Sequence, residues 1–205
     1  MVYGTRKSFS FFICRGYEQR LFFTRILTER FPLGDLTWTI NPELRTTPGP
    51  IDLLLIRNDL TKNPIRVAWT VIFEGKGSGS GDTYDRILTQ LMGYAATWKG
   101  PFVYLLGAKG KTCAFWKYTK SRSPQVQRMS SDDQGNVRFE DLSQAVQYDI
   151  VERQAPIAHM LRWIINNQPP FNLAIDEVCG QFQPGNLADE TGTDIDSRNT
   201  AAVNQ

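Results

Sequence analysis

Three charged residues at the margins of two apolar runs have the chemistry to hold a divalent cation and act on a phosphate. Asp52 lies early in the run Ile51-Asp52-Leu53-Leu54-Leu55-Ile56-Arg57. A carboxylate in a segment that otherwise reads as buried strand is costly unless it is paired or bound to a metal. Glu74 closes the next apolar run, and Lys76 stands two residues on. Alternation along a strand puts Glu74 and Lys76 on one face and turns Gly75 away. If the two strands are neighbours, Asp52 and Glu74 can meet at one end of the sheet. Two carboxylates and a backbone carbonyl form a hard oxygen site suited to Mg²⁺ or Mn²⁺. A lysine beside it can position a water or offset charge on a phosphate under attack.

The elements that must carry these residues are legible in the pattern. Residues 16–31 read as an amphipathic helix, with Tyr17, Leu21, Phe22, Ile26 and Leu27 at helical spacing and Pro32 as its stop. Residues 36–40, 51–57 and 66–74 read as strands, the second as a buried central one. A glycine-serine loop covers 75–81, and a helix covers 82–98 with Asp82 as its N-cap. The apolar stripe of that helix is Tyr84, Ile87, Leu88, Leu91, Ala95 and Trp98. Strands at 102–106 and 112–118 flank a short turn, and a last helix covers 156–166. The order is α-β-β-β-α-β-β and then a C-terminal helix. This predicts an α/β fold, a mixed central sheet flanked by helices.

Composition narrows the chemistry. The 205 residues are 41% hydrophobic and 21% charged, which suits one globular domain and a tail. We place the domain at 1–182 and a disordered acidic tail at 183–205. No apolar run is long enough to span a bilayer, so no membrane partner is expected. The chain reads as intracellular, in cytoplasm or nucleus. Cys14, Cys113 and Cys179 are widely spaced and form no CxxC pair, which argues against a disulfide framework and a zinc site. A single histidine, His159, removes most chemistry that needs a histidine pair or a histidine-based triad.

The net charge of +2 hides an uneven distribution. From Arg86 to Ser131 there is no Asp or Glu, while Lys99, Lys109, Lys111, Lys117, Lys120, Arg122 and Arg128 fall in that stretch. Such a block is the electrostatic footprint expected for a polyanion, here DNA or RNA. Neither the glycine-serine loop nor Gly110-Lys111-Thr112 has the glycine, lysine and hydroxyl spacing of a nucleotide phosphate loop.

Taken in order, Gly49-Pro50-Ile51-Asp52 and Glu74-Gly75-Lys76 resemble the motifs of the PD-(D/E)XK nuclease superfamily. The resemblance covers roughly residues 15–118, where the α-β-β-β-α-β order also matches. Gly16-Tyr17-Glu18-Gln19-Arg20 looks like the start of the first helix in resolvase-like members, and Gln90 with Tyr94 is similar to a pair in RecB-like members. The sequence departs from the pattern at Ile51, which separates the proline from the aspartate, and at Gly75, where the family usually has an apolar residue. The resemblance implies a restriction-endonuclease-like core and hydrolysis of phosphodiester bonds, as endonuclease or exonuclease. It implies that Asp52 and Glu74 bind Mg²⁺ or Mn²⁺ with the carbonyl of Gly75, and that Glu18 assists directly or through water. Lys76 would activate the attacking water, and Gln90 and Tyr94 would hold Lys76 or the nucleic-acid backbone. Lys99, Lys109, Lys111, Lys117, Lys120 and Arg122 would attract the substrate. The alternative is a catalytically inactive member of the same fold that binds nucleic acid or a protein. Either is compatible with a homodimer.

Overall fold

The computed structural model describes Phe23, Thr24, residues 26–29, Phe31, and residues 37–46, 49–141, 144–171 and 173–174. Glu18, Cys14, Cys179 and the acidic tail lie outside the described residues. β1 (Trp38–Thr46), β2 (Gly49–Asp59) and β3 (Arg66–Lys76) lead into helix α1 (Tyr84–Thr97). β4 (Phe102–Lys109), β5 (Thr112–Thr119), β6 (Val126–Ser131) and β7 (Val137–Glu140) follow. Then come the short β8 (Tyr148–Asp149), helix α2 (Gln154–Asn166) and the short β9 (Leu173–Ala174).

The first seven strands lie side by side in sequence order, with β8 added on β5 and β9 on β3. Among them only β3 and β4 are parallel, and α1 makes the crossover that a parallel pair requires. The protein is therefore α/β, with a mixed, mostly antiparallel sheet between helices. Among the described residues no helix is long and apolar enough to cross a membrane.

Each face of the sheet has its own core. Ile51, Leu54, Trp69, Ile72, Leu105 and Trp116 pack under α1, where Tyr84, Ile87, Leu88, Leu91, Tyr94, Ala95 and Trp98 are all buried. The stripe expected for this helix is the stripe it buries, with Tyr94 added. Trp98 stacks on Trp69 with centroids 5.1 Å apart and planes 7° from parallel. On the other face Leu53, Leu55, Val71, Phe73, Leu106 and Phe115 pack against α2 and against the helical residues 26–29 with Phe23. There the buried row is Phe23, Leu27 and Phe31, spaced one helical turn apart. Tyr17, Leu21 and Phe22 lie outside the described residues.

Several bounds differ from the sequence expectation for identifiable reasons. β1 runs through Pro42 to Thr46; among the described residues it is the outermost strand of the series, where a proline is tolerated. β3 continues through Gly75 and Lys76, since β4 offers them a ladder as far as Lys109. The N-cap of α1 is Thr83, whose Oγ1 accepts from the Arg86 amide. Asp82 instead accepts from the Ser80 hydroxyl at 2.5 Å. β6 and β7, with no expectation attached, cover a polar stretch whose alternation is interrupted by turn residues.

Two details of the strands set the site. At Thr70 β3 carries an extra residue: Leu55 pairs with Val71, but Ile56 pairs with Trp69. Val67 and Trp69 face α1 before this bulge; after it Ile72 does, so Glu74 and Lys76 share the α1 face. On β4, Gly107 lets α1 come close. A Cβ there would stand 2.7 Å from Ile87 Cγ2 and 3.1 Å from Trp116 Cζ3. Ile87 is β-branched and cannot swing away freely. Gly107→Ala should lower unfolding stability by roughly 1–3 kcal/mol, read from urea or thermal denaturation. An unchanged midpoint would mean that the helix does not rest on this glycine.

Candidate active site

β2 and β3 pair from Asp59↔Arg66 to Leu53↔Phe73, and there their ladder ends. Beyond that point β2 stays with β1, down to Gly49↔Thr46, and β3 stays with β4, out to Lys76↔Lys109. The sheet therefore forks. Asp52 stands in the fork, and the Gly75 amide, free of the β2 ladder, donates to Asp52 Oδ2 at 2.8 Å. Alternation along β2 breaks at the same place: Ile51 and Leu54 lie in the core under α1, and Leu53 in the opposite one.

Glu74 follows on β3 at only 2% exposure. Its Oε1 accepts from Lys76 Nζ at 2.6 Å, while Oε2 is buried with no hydrogen-bond partner. Burial pushes the Glu74 carboxyl up to about 7, and the charge of Asp52 adds to the rise. The ion pair with Lys76 and the nearby Gln90 amide only partly offset this. Desolvation works against the Lys76 charge as well, but the carboxylates of Glu74, Asp52 and Asp82 hold its pKa above the ordinary lysine value. The structure thus brings Asp52, Glu74 and Lys76 together at one end of the sheet.

Helix α1 ties the fork from above. Tyr94 donates its hydroxyl proton to the Pro50 carbonyl at 2.7 Å and accepts from Gln90 Nε2 at 2.7 Å. Tyr94 is 1% exposed, so it has no surface to offer a nucleic-acid backbone, and Gln90 does not hold Lys76. The pair instead fixes the segment that precedes Asp52. No feature of the sequence marks the Pro50 carbonyl as the acceptor.

The basic block does not form one surface. Lys117 projects on the face opposite α1, over the rings of Phe102 and Phe139. Burial there lowers its pKa. Lys120 is tied through its amide to Pro101, at the end of the sheet away from the fork, and Lys99 follows the C-terminal end of α1. Arg122 is held by Asp141 at 2.7 Å, and Arg128 by Glu140. Only Lys109 and Lys111 of this set lie at the fork's end of the sheet. Their turn is pinned to it by the Gly110 amide, which donates to the Lys76 carbonyl at 3.1 Å. Gly110 adopts φ +57°, and a Cβ there would stand 3.1 Å from Ser78 Cβ. Asp82, expected as a cap, lies close enough to Lys76 and Lys109 for their charges to depress its pKa, after the larger effect of the Ser80 hydrogen bond.

The donors fit a hard divalent cation. A buried carboxylate oxygen without a partner and a second carboxylate across the fork are donors that a cation would satisfy, and it would also offset the burial that, with the Asp52 charge, raises the Glu74 pKa. Asp52 and Glu74 would hold it with the Gly75 carbonyl. Glu18 is outside the described residues, and among the described residues no three Asp, Glu, His or Cys side chains cluster. No family model, no curated protein and no solved structure matches this chain.

Two outcomes follow from this geometry. Because the folded pKa of Glu74 lies above its ordinary 4.5, the folded state favours the proton, and that stability is lost as pH rises through about 7. The shift corresponds to roughly 3 kcal/mol. Glu74→Gln should therefore unfold at a higher temperature than wild type at pH 8 without metal, with the gap closing below pH 5. A gap independent of pH would refute the assignment. Tyr94→Phe should cost about 1–2 kcal/mol, from a Pro50 carbonyl and a Gln90 amide left without partners. The loss is read from urea or thermal denaturation; an unchanged midpoint would mean that this tie carries no stability.

Proposed function

We propose that the protein is a divalent-metal-dependent nuclease of the PD-(D/E)XK kind that hydrolyses phosphodiester bonds of DNA or RNA. The observation that carries this reading is the convergence of Asp52, Glu74 and Lys76 at the fork, with Glu74 Oε2 unpartnered. Asp52 and Glu74 would hold Mg²⁺ or Mn²⁺, which would supply an acidified water and offset phosphate charge. Lys76, whose side chain is a quarter exposed, sets its ammonium against Glu74 Oε1 at 2.6 Å. There it orients a water and offsets the charge gathering on the phosphate. Tyr94 and Gln90 keep Pro50 in place, so the Asp52 carboxylate does not have to be ordered at the moment of reaction. An intracellular site of action, in cytoplasm or nucleus, belongs to the same proposal.

One observation favours a binding-only reading: Lys76 already occupies Glu74 Oε1. In that reading the ion pair is structural and the fork binds no cation.

Purified protein with Mn²⁺ or Mg²⁺ should cleave DNA or RNA and lose the activity on chelation. Asp52→Ala, Glu74→Ala and Lys76→Ala should each reduce the rate on the order of a hundred- to a thousandfold with an unchanged circular dichroism spectrum. Cleavage that survives all three substitutions, or fails with either cation on every substrate, overturns the nuclease reading.

A further inference from the structure

The end of the sheet that carries the fork also carries a second feature. Stepping across it by register, Lys76 is level with Lys109, Lys109 with Thr112, and, further on, Ser130 with Arg138. Alternation places these residues on one face. Leu105 and Val126 lie in the core under α1, so Lys109 and Ser130 project on that side. Val137 and Phe139 pack on the opposite core, which turns Arg138 to the α1 side as well. Lys109, Lys111 and Arg138 form no salt bridge among the described residues.

Two recesses open along this line. One, of about 450 Å³, is lined by Arg138, Ser130 and Asn136; the other, of about 600 Å³, by Lys109, Lys111, Ser78 and Thr112. Gln147 lines both, so they adjoin. From β3 to β7 there are four strand spacings of ~4.8 Å, roughly 19 Å in all. Recesses of this size take groups on the scale of a single nucleotide, not the body of a duplex. Acids line them too, namely Asp85 in the larger and Asp132 and Glu140 in the smaller, with Glu140 held by Arg128. Net attraction is therefore modest and falls with salt.

We infer that a single nucleic-acid strand leaves the fork along this line. Lys109 and Lys111 hold the backbone nearest the cut, and Arg138 holds it farther on, past Gln147. This rests on the proposed nuclease reading for its starting point and adds the strandedness of the substrate and the direction of its path.

The test is fluorescence-anisotropy binding of the full-length protein, in chelator so that nothing is hydrolysed. The probes are labelled single-stranded DNA and RNA in a ladder of lengths from the dinucleotide upward, and a duplex of the longest. Single strands should bind more tightly than the duplex, and affinity should rise with length. Lys109→Ala and Lys111→Ala should each weaken binding several-fold and flatten the slope of log affinity against log salt by about 0.7. Arg138→Ala should do the same for long strands and leave the shortest untouched. All three side chains are at least partly exposed, which keeps the folding risk small. A duplex preference, or an Arg138→Ala effect equal at every length, overturns the path. A parallel digestion with Mn²⁺ separates the two readings. Cleavage with unchanged strand binding in all three variants overturns the path and leaves the nuclease reading standing. No cleavage, with strand binding that still follows these residues, overturns the nuclease reading and the path's start at a cut, and leaves only a strand-binding line.

Discussion

The separation of β2 from β3 beyond Leu53 and Phe73 is the constraint on which the rest of the site depends. While two strands are paired, their amides and carbonyls are spent on each other and their side chains stand away from the ladder. Once they part, a backbone amide must find another acceptor. Here the Gly75 amide finds Asp52. The same parting lets side chains from both strands meet. Pro50, with no amide of its own to satisfy, stands two residues before Asp52, and its carbonyl is taken by Tyr94. The fork is thus held by one hydrogen bond across it and one from the helix above it.

Charge at the fork is deliberately unbalanced. Two carboxylates face one ammonium, and one carboxylate oxygen has no partner in a buried position. A buried ion pair seldom repays its full desolvation cost, and an unpaired buried charge is worse. Burial answers by raising the proton affinity of Glu74. A site built only for stability would place an apolar residue here, as β3 does at Ile72 and Phe73. It is the kind of imbalance that a cation would relieve, which is the basis of the proposed metal site.

The basic residues teach a different lesson. Clustering along the chain is not clustering in space, because a hairpin of eight-residue strands sends its lysines to both ends and both faces of a sheet. Lys117 goes under the opposite face, and Lys120 and Arg122 to the far end. Acids placed later in the chain, Glu140 and Asp141, then neutralise Arg128 and Arg122 through β7 and its following turn. What remains of the block at the fork is Lys109 and Lys111, joined by Arg138, which stands outside the acid-free stretch.

The sequence by itself determined the α/β class, the order of the central elements, the buried stripe of α1, and the three residue types that meet at the fork. Those features are local: helical spacing, apolar runs and a carboxylate where carboxylates are costly. It did not determine on which face Glu74 and Lys76 would stand. Residues 67–73 are almost continuously apolar, so either face could have been the one turned to α1. The bulge at Thr70 made the choice, by shifting the phase of every side chain after it. Nor could the sequence say that Tyr94 would reach back to Pro50, because that bond exists only once α1 has crossed the sheet. Register and crossing are settled by the packing of both cores at once, and no window along the chain contains that information.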